Sequence, residues 1–271
     1  MQLALVSGKR VEAFPRGEGK CPICGSQMIA KCGPRVLHHW AHHGRRNCDP
    51  WWENETDWHR QWKNLYPLEC REISHVAPDG EIHRADIKTP SGIVVEIQHS
   101  AMTDEERTSR EAFYGNLVWL IDGYGFKENF DIYHMLPNPN SKIASDLIWS
   151  EAKRHLNGAN RGLFMRRSEG TYQIHGIHEI QDEVSQCYNG YHQYDWIRPR
   201  NVWLEATCPV YIDFGERLLV KLGTYDSTGL KCIRFVSKKK FVHDTMFEKQ
   251  ATDIASRFYP LDPLNSGSTT L

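Results

Sequence analysis

Two carboxylates stand on either side of a tight turn in His83-Arg84-Ala85-Asp86-Ile87-Lys88-Thr89-Pro90-Ser91-Gly92-Ile93-Val94-Val95-Glu96-Ile97-Gln98. Both arms alternate and carry β-branched residues, the pattern of a hairpin. Pro90-Ser91-Gly92 suits a three-residue loop with Gly92 in the left-handed conformation. That loop pairs Thr89 with Ile93. Asp86 then falls opposite Glu96, and Arg84 opposite Gln98. Facing side chains on a hairpin hold their Cβ atoms about 4.5–5.5 Å apart, and like charges there repel unless a cation lies between them. Ile93, Val95 and Ile97 fill the other face, and Val94 shares the face of Glu96, so the carboxylates are expected to be buried and partnered. Asp-x9-Glu-x-Gln on such a hairpin predicts a divalent-metal site, Mg²⁺ or Mn²⁺ on hard oxygen ligands, suited to phosphodiester chemistry.

A second ligand set lies upstream. Cys21-Pro22-Ile23-Cys24-Gly25 is a knuckle turn whose two thiolates reach one tetrahedral Zn²⁺. The other pair must come from Cys32, His38, His39, His42, His43 or Cys48. Cys21, Cys24, His42 and Cys48 are the preferred set, with His39 as the replacement for His42. Four protein ligands close the site, which makes it structural. Residues 20–48 are rich in Cys, His and Gly and poor in apolar periodicity, so something must hold them together.

These residues need elements to position them. Residues 53–65 read as a helix with Asn54 as a cap. Glu55, His59 and Lys63 form one stripe on it, four residues apart. Facing Asp86 and Glu96, that stripe would complete a hydrolytic pocket. Residues 68–75, 82–88 and 93–99 read as strands. Residues 103–115 read as a helix with Thr103 as cap and Glu106 three residues on. Leu117-Val118-Trp119-Leu120-Ile121-Asp122 reads as a buried strand. The order is helix, three strands, helix, strand. Residues 3–13 form a strand turning at Gly8-Lys9. Pro137-Asn138-Pro139-Asn140-Ser141 marks a boundary. A helix over 142–156 and short strands near 202–206, 209–213, 217–222, 230–236 and 240–242 follow. A disordered tail begins at Ser266. The segments are 1–50, 51–136 and 142–265, the last a smaller β-rich domain.

The 271 residues carry a net charge of −1, not the basic balance of a protein that coats nucleic acid. A DNA contact must come from a local patch. Arg45, Arg46 and Arg60 are candidates, with Lys238-Lys239-Lys240 as a secondary patch. No apolar run reaches membrane-spanning length and no secretory signal opens the chain, so a cytoplasmic setting without membrane contact is expected. Eight cysteines in that setting favour metal ligation or free thiols.

Cys-Pro-x-Cys-Gly, His39-Trp40-Ala41-His42, Cys48-Asp49, Trp51-Trp52-Glu53-x-Glu55-Thr56-x-Trp58-His59-x-x-Trp62-Lys63, His83-Arg84-Ala85-Asp86-Ile87 and Glu96-Ile97-Gln98-His99-Ser100 together resemble the competence protein CoiA family. The likeness covers about residues 15–125. It implies a zinc-binding segment joined to a nuclease domain of the PD-(D/E)XK type, with a restriction-endonuclease-like fold. It implies that Asp86 and Glu96 are the motif carboxylates and Glu55 the helix carboxylate. Gln98 stands where the motif has Lys; an amide can orient water but brings no charge, which Lys88 or Lys63 would have to supply. His59 or Lys63 would contact the scissile phosphate. The rival readings are a catalytically degenerate module that binds DNA or protein, and an HNH-type nuclease using the Cys/His segment. Zinc nucleobase deaminases fit poorly, since their His-x-Glu precedes Pro-Cys-x-x-Cys. The C-terminal domain lacks a carboxylate–histidine set at catalytic spacing. It is expected to bind DNA, a second copy of the chain or a partner protein.

Overall fold

The structure is a computed structural model that describes residues 1–44, 48–51, 55–77, 80–154, 162–170, 172–225 and 228–247. The fold is mixed α/β with two compact units. The first holds Met1–Asp122, and Ala206–Cys208 and the segment from Phe241 return to it; the second holds Gly123–Glu205 and Pro209–Lys240. Residues 1–50 and the core that follows them therefore share one unit. The second unit begins at Gly123, ahead of the Pro-Asn-Pro-Asn run.

The first unit opens with a five-stranded antiparallel sheet. Its strands are β1 (Leu3–Val6), β2 (Lys9–Glu12), β3 (Glu18–Lys20), β4 (Gln27–Lys31) and β5 (His39–His42), in the order β2-β1-β3-β4-β5. Alternation sends Ala4, Met28 and Trp40 to one side, where they form a small core with Met1 and Cys21. The Trp40 indole N–H donates to the Val11 carbonyl at 2.9 Å and fixes the ring.

Next come α1 (Asp57–Lys63), β6 (Arg71–Val76), β7 (Ile82–Lys88), β8 (Val94–Gln98), α2 (Asp104–Tyr114) and β9 (Leu117–Asp122), the order expected. The strands lie side by side as β6-β7-β8-β9, with β8 and β9 parallel and the other neighbours antiparallel. Helix α1 is shorter than expected. Thr56 caps it, its side chain accepting from the His59 N–H; the expected cap Asn54 lies outside the described residues. Trp62 packs edge-on against Phe241, with centroids 5.8 Å apart. A 3₁₀ turn at Leu68–Cys70 replaces the start of the strand predicted over 68–75. Thr103 caps α2 and accepts from the Glu106 N–H.

The β7–β8 hairpin has the predicted register. Ile87 pairs with Val95 and Lys88 with Val94, and Thr89 N–H donates to the Ile93 carbonyl at 2.9 Å. Gly92 takes φ +87°. Extending that register sets Asp86 opposite Glu96.

The second unit is β-rich. One antiparallel sheet contains β10 (Phe130–Pro137), β14 (Tyr188–Trp196), β15 (Val210–Asp213), β16 (Leu218–Thr224) and β17 (Lys231–Ser237), ordered β10-β14-β17-β16-β15. A smaller sheet joins β11 (Leu147–Trp149), β12 (Leu163–Arg166) and β13 (His175–Gly176). The unit's helices are α3 (Lys142–Asp146), α4 (Gln181–Cys187) and α5 (Asn201–Leu204); α6 (Lys238–Phe247) starts in this unit and counts with the first from Phe241 on. Three expectations are corrected. The predicted helix over 142–156 stops at Asp146, because the apolar triplet Leu147-Ile148-Trp149 pairs with β12 and buries Leu147 and Trp149. The predicted strand at 202–206 is α5, which buries Trp203. The predicted strand at 240–242 lies inside α6, where Phe241 and Thr245, one helical turn apart, are the buried positions. The tail from Ser266 lies outside the described residues. Among the described residues no helix is long and apolar enough to cross a membrane.

Gly92→Ala tests the hairpin turn. A Cβ there would meet nothing within 4 Å, so the cost is conformational alone. A left-handed non-glycine residue costs about 1–2 kcal/mol, and chemical denaturation should show a loss of that size. A loss near zero would mean that the turn is not held left-handed.

Candidate active site and metal centre

The β6–β7 register places Glu72 beside Asp86, and the β7–β8 register places Glu96 on its other side. Three carboxylates thus cross three adjacent strands in one row. The strand backbones cannot pair normally there, and the carboxylates fill the gap. Asp86 N–H donates to Glu96 Oε1 at 3.2 Å, and Ile97 N–H donates to Asp86 Oδ2 at 3.0 Å. Glu72 has φ +49°, which a non-glycine residue rarely adopts. Its two oxygens accept the backbone N–H groups of Gln2 and Leu3, at 2.9 and 2.8 Å.

Cations from the flanking elements offset this row. Lys63 of α1 lies 3.1 Å from Glu72 Oε1, 3.4 Å from Asp86 Oδ1 and 2.8 Å from Glu55 Oε1. Its ammonium is almost fully buried. His59 Nε2 is 3.2 Å from Asp86 Oδ2 and must carry a proton to bond it. Arg110 of α2 donates to Glu96 Oε2 at 2.9 Å and to the Trp51 carbonyl at 3.1 Å. Arg60 pairs with Glu55. Arg84 reaches Glu72 at 4.0 Å. Gln98, 2% exposed, lines the same pocket and donates from Nε2 to the Ser100 carbonyl. The cavity among these groups is about 30 Å³, room for one or two small oxygen ligands.

Asp86 and Glu96 differ in protonation. Burial acts to raise both. At Asp86 the neighbouring His59 and Lys63 and the Ile97 N–H outweigh burial and hold the carboxyl well below its usual range. At Glu96 burial and the Asp86 charge outweigh Arg110 and push the pKa up to about 8. In the metal-free protein Glu96 therefore keeps its proton at neutral pH. A cation shared by the two carboxylates would remove that penalty, so the donor set fits a hard divalent ion.

The Cys/His cluster is separate and complete. Ligand atoms of Cys21, Cys24, His42 and Cys48 all lie within 4.8 Å of one another. Cys21 and Cys48 sulfurs are 3.7 Å apart, and His42 Nε2 is 3.4 Å from Cys24 Sγ and 3.5 Å from Cys48 Sγ. A zinc tetrahedron with bonds of about 2.3 Å to sulfur and 2.0–2.1 Å to nitrogen has edges of about 3.8 and 3.5 Å. The match is close, and the four groups can hold one metal ion such as zinc. The knuckle closes through the Cys21 N–H to the Ser26 carbonyl and the Gly25 N–H to the Cys21 carbonyl.

His39 lies outside this cluster; its Nδ1 is 2.8 Å from the Leu37 carbonyl. Three positions from His42 on a strand, it faces the opposite side. Lys88 bonds His75 Nδ1 at 3.0 Å and is not among the residues lining the pocket. Lys238 is bound to Asp213 at 2.8 Å, which withdraws it from the proposed patch. Arg45 and Arg46 lie outside the described residues. Glu55, His59, Asp86, Glu96 and Gln98 all line one pocket. Sequence reasoning missed Asp49, Glu72, Arg84 and Arg110 there. Arg107 and Arg110, three apart on a helix with few apolar residues, were the available signal for α2. Asp49 had none beyond its place next to Cys48. Its carboxylate accepts the Trp51 and Arg84 N–H groups at 3.0 and 2.9 Å and lies 3.0 Å from His83 Nδ1. No family model matches this chain, and no curated protein or solved structure matches it significantly.

Elemental analysis of the native protein is expected to find one zinc per chain. Cys24→Ser should lose it and melt the N-terminal sheet, because metal binding there is folding free energy. Stoichiometric zinc retained with Cys24 and His42 both replaced would place the metal elsewhere.

The Glu96 shift has a second readout. A carboxyl whose pKa is higher folded than unfolded stabilises the native state at low pH, and that stability is lost as pH rises through the folded pKa, here about 8. Glu96→Gln stays uncharged at every pH. With zinc retained and no added magnesium or manganese, its Tm should match wild type near pH 4, rise progressively above it between about pH 5 and 8, and keep a constant lead at higher pH. A difference that does not change between about pH 5 and 8 would refute the assignment.

Proposed function

We propose that this chain is a Mg²⁺- or Mn²⁺-dependent DNA nuclease, of the kind represented by the competence protein CoiA family, built on a restriction-endonuclease-like core. The observation that carries the reading is the splayed hairpin. Asp86 and Glu96 meet across it in one pocket with Glu55, His59, Lys63 and Gln98. The order α1-β6-β7-β8-α2-β9, with β8 and β9 parallel, is consistent with that core.

Asp86 and Glu96 would hold the ion. When bound it would supply Lewis-acid polarisation of the phosphate and a water of lowered pKa. The chain's own groups prepare the site. Arg110 fixes Glu96 and neutralises it as it ionises. His59 and Lys63 both bind Asp86 and fix the orientation of its carboxylate, so they act as positioning residues rather than as direct phosphate contacts. Lys63 also brings into the pocket the positive charge that Gln98 lacks. Gln98 is placed to orient the attacking water through its amide. The zinc cluster, with four protein ligands, has no open position for substrate and is structural in this reading.

One observation favours the binding-module alternative. The Asp86 and Glu96 oxygens that would meet a metal already accept N–H groups, and Gln98 replaces the usual lysine. Cleavage decides between the two. Asp86→Ala and Glu96→Ala should abolish Mg²⁺- or Mn²⁺-dependent cleavage of plasmid and linear DNA. Gln98→Ala should slow it about 10²-fold, the lower range for one positioned hydrogen-bonding group. Glu55→Ala, which releases Lys63 and Arg60, should lower turnover without unfolding the protein. Cleavage that survives Asp86→Ala would move the chemistry to another site, such as the Cys/His segment. A wild type inert on every DNA form with both metals would establish the binding module.

A further inference from the structure

The charge of the chain is unevenly distributed. Residues 1–50 carry eight Lys and Arg against three Asp and Glu, whereas the other 221 residues carry 25 against 31. Of those eight, Lys9, Arg10, Lys20 and Lys31 lie on strands of the N-terminal sheet, Arg16 and Arg35 lie in its loops, and Arg45 and Arg46 lie outside the described residues. One side of that sheet is closed by Ala4, Met28, Trp40 and Cys21. On the opposite side the register sets Lys20 beside Gln27 and Lys31 beside His39. Arg16 precedes β3 and Arg35 follows β4. All four basic residues are exposed, and among the described residues none has a carboxylate within ion-pair distance. Of the nearby acids, Glu12 meets Gln2 and Arg71, and Glu18 accepts from the neutral Gln27 amide and is the one acidic side chain on this side of β3 and β4. Arg10, on the same side, is spent on the Leu68 and Arg71 carbonyls.

We infer that this side of the N-terminal sheet is a phosphate-backbone surface for DNA, with Lys20 and Lys31 as its main contacts and Arg16 and Arg35 flanking them. This deepens the nuclease reading by naming where the substrate is held outside the pocket. Lys20 and Lys31 stand on strands of a metal-braced sheet, and long basic side chains of this kind bind the phosphate backbone. Lys31 lies four residues along β4 from the position opposite Lys20. At about 3.3 Å per residue the two lysines are roughly 13–14 Å apart, about four base-pair steps of rise along the B-DNA axis. They therefore meet different phosphates, and each should contribute its own share of counterion release. The contacts carry no base information, so binding there is independent of sequence.

The test measures binding without cleavage. Full-length Asp86→Asn protein, zinc-loaded and without added magnesium or manganese, is titrated onto a fluorescent duplex of about 20 base pairs over a series of salt concentrations. Lys20→Glu/Lys31→Glu should weaken binding at least 10-fold at low salt. It should also flatten the plot of log affinity against log salt by about two, near 0.9 per lost phosphate contact. Lys20→Gln/Lys31→Gln should give the same slope change with a smaller loss of affinity, which separates lost contacts from new repulsion. Zinc content must stay at the wild-type level in both. Lys239→Glu/Lys240→Glu, a charge change of the same size in the second unit, should leave affinity and slope unaltered. Unchanged binding by the Lys20/Lys31 variants, an equal loss from the Lys239/Lys240 variant, or no binding by the parent at low salt each overturns the proposal. Failure of the nuclease reading shows differently, as binding without cleavage by the protein carrying Asp86.

Discussion

Burying charge without water is the constraint around which the first unit is built. Glu72, Asp86 and Glu96 occupy neighbouring positions on three adjacent strands, and a buried carboxylate left alone costs several kcal/mol. No single element can satisfy all three. Helix α1 brings Lys63 and His59, β7 brings Arg84, and α2 brings Arg110. Each helix is thereby fixed to the sheet by a charge as well as by apolar contact. Removing one member of such a network leaves its partner unpaired and costs about 3–5 kcal/mol. Helix positions and pocket electrostatics are therefore one property of this unit.

The Cys/His cluster connects to the same network through the residue that follows Cys48. Cys48 belongs to that cluster, and the next residue, Asp49, is 4% exposed and binds the Arg84 N–H and the His83 ring. Arg84 is two residues before Asp86. Trp51 stacks on His83 and gives its carbonyl to Arg110. A few residues thus join the sulfur cluster to the strand carrying Asp86 and to the cation that holds Glu96. A change in the cluster should reach the pocket through backbone hydrogen bonds rather than through long-range charge.

The sequence was readable where local rules act alone. The hairpin over 83–98 has strict alternation and a turn that only glycine completes comfortably, so its register and the meeting of Asp86 with Glu96 could be counted out. The Cys-x-x-Cys turn and the Thr103 cap are equally local. What was not readable depends on partners distant in sequence. Glu72 looks like any strand glutamate until Gln2, Leu3 and Lys63 are seen around it. His39 and His42 both lie within reach of Cys48 in sequence, and only the pairing of β5 with β4 decides which one faces the knuckle. Near 142–156, 202–206 and 240–242 the apolar residues fit either period. Burial of Trp149, Trp203 and Phe241 decided the outcome there, and no short window reveals that burial.

Counting the charges of the pocket gives a further argument about what it can accept. Asp49, Glu55, Glu72, Asp86 and Glu96 line it, against the permanent cations Lys63, Arg84 and Arg110. With Glu96 protonated the side chains carry one excess negative charge, and with Glu96 ionised they carry two. A phosphodiester entering alone would meet a like-charged, low-dielectric wall, where repulsion is much stronger than in water. One divalent cation compensates two negative charges and so balances the ionised pocket. The cations present are too few to receive a phosphate unaided, yet enough to keep five carboxylates folded together. That intermediate balance is what a site needs if metal must bind before substrate.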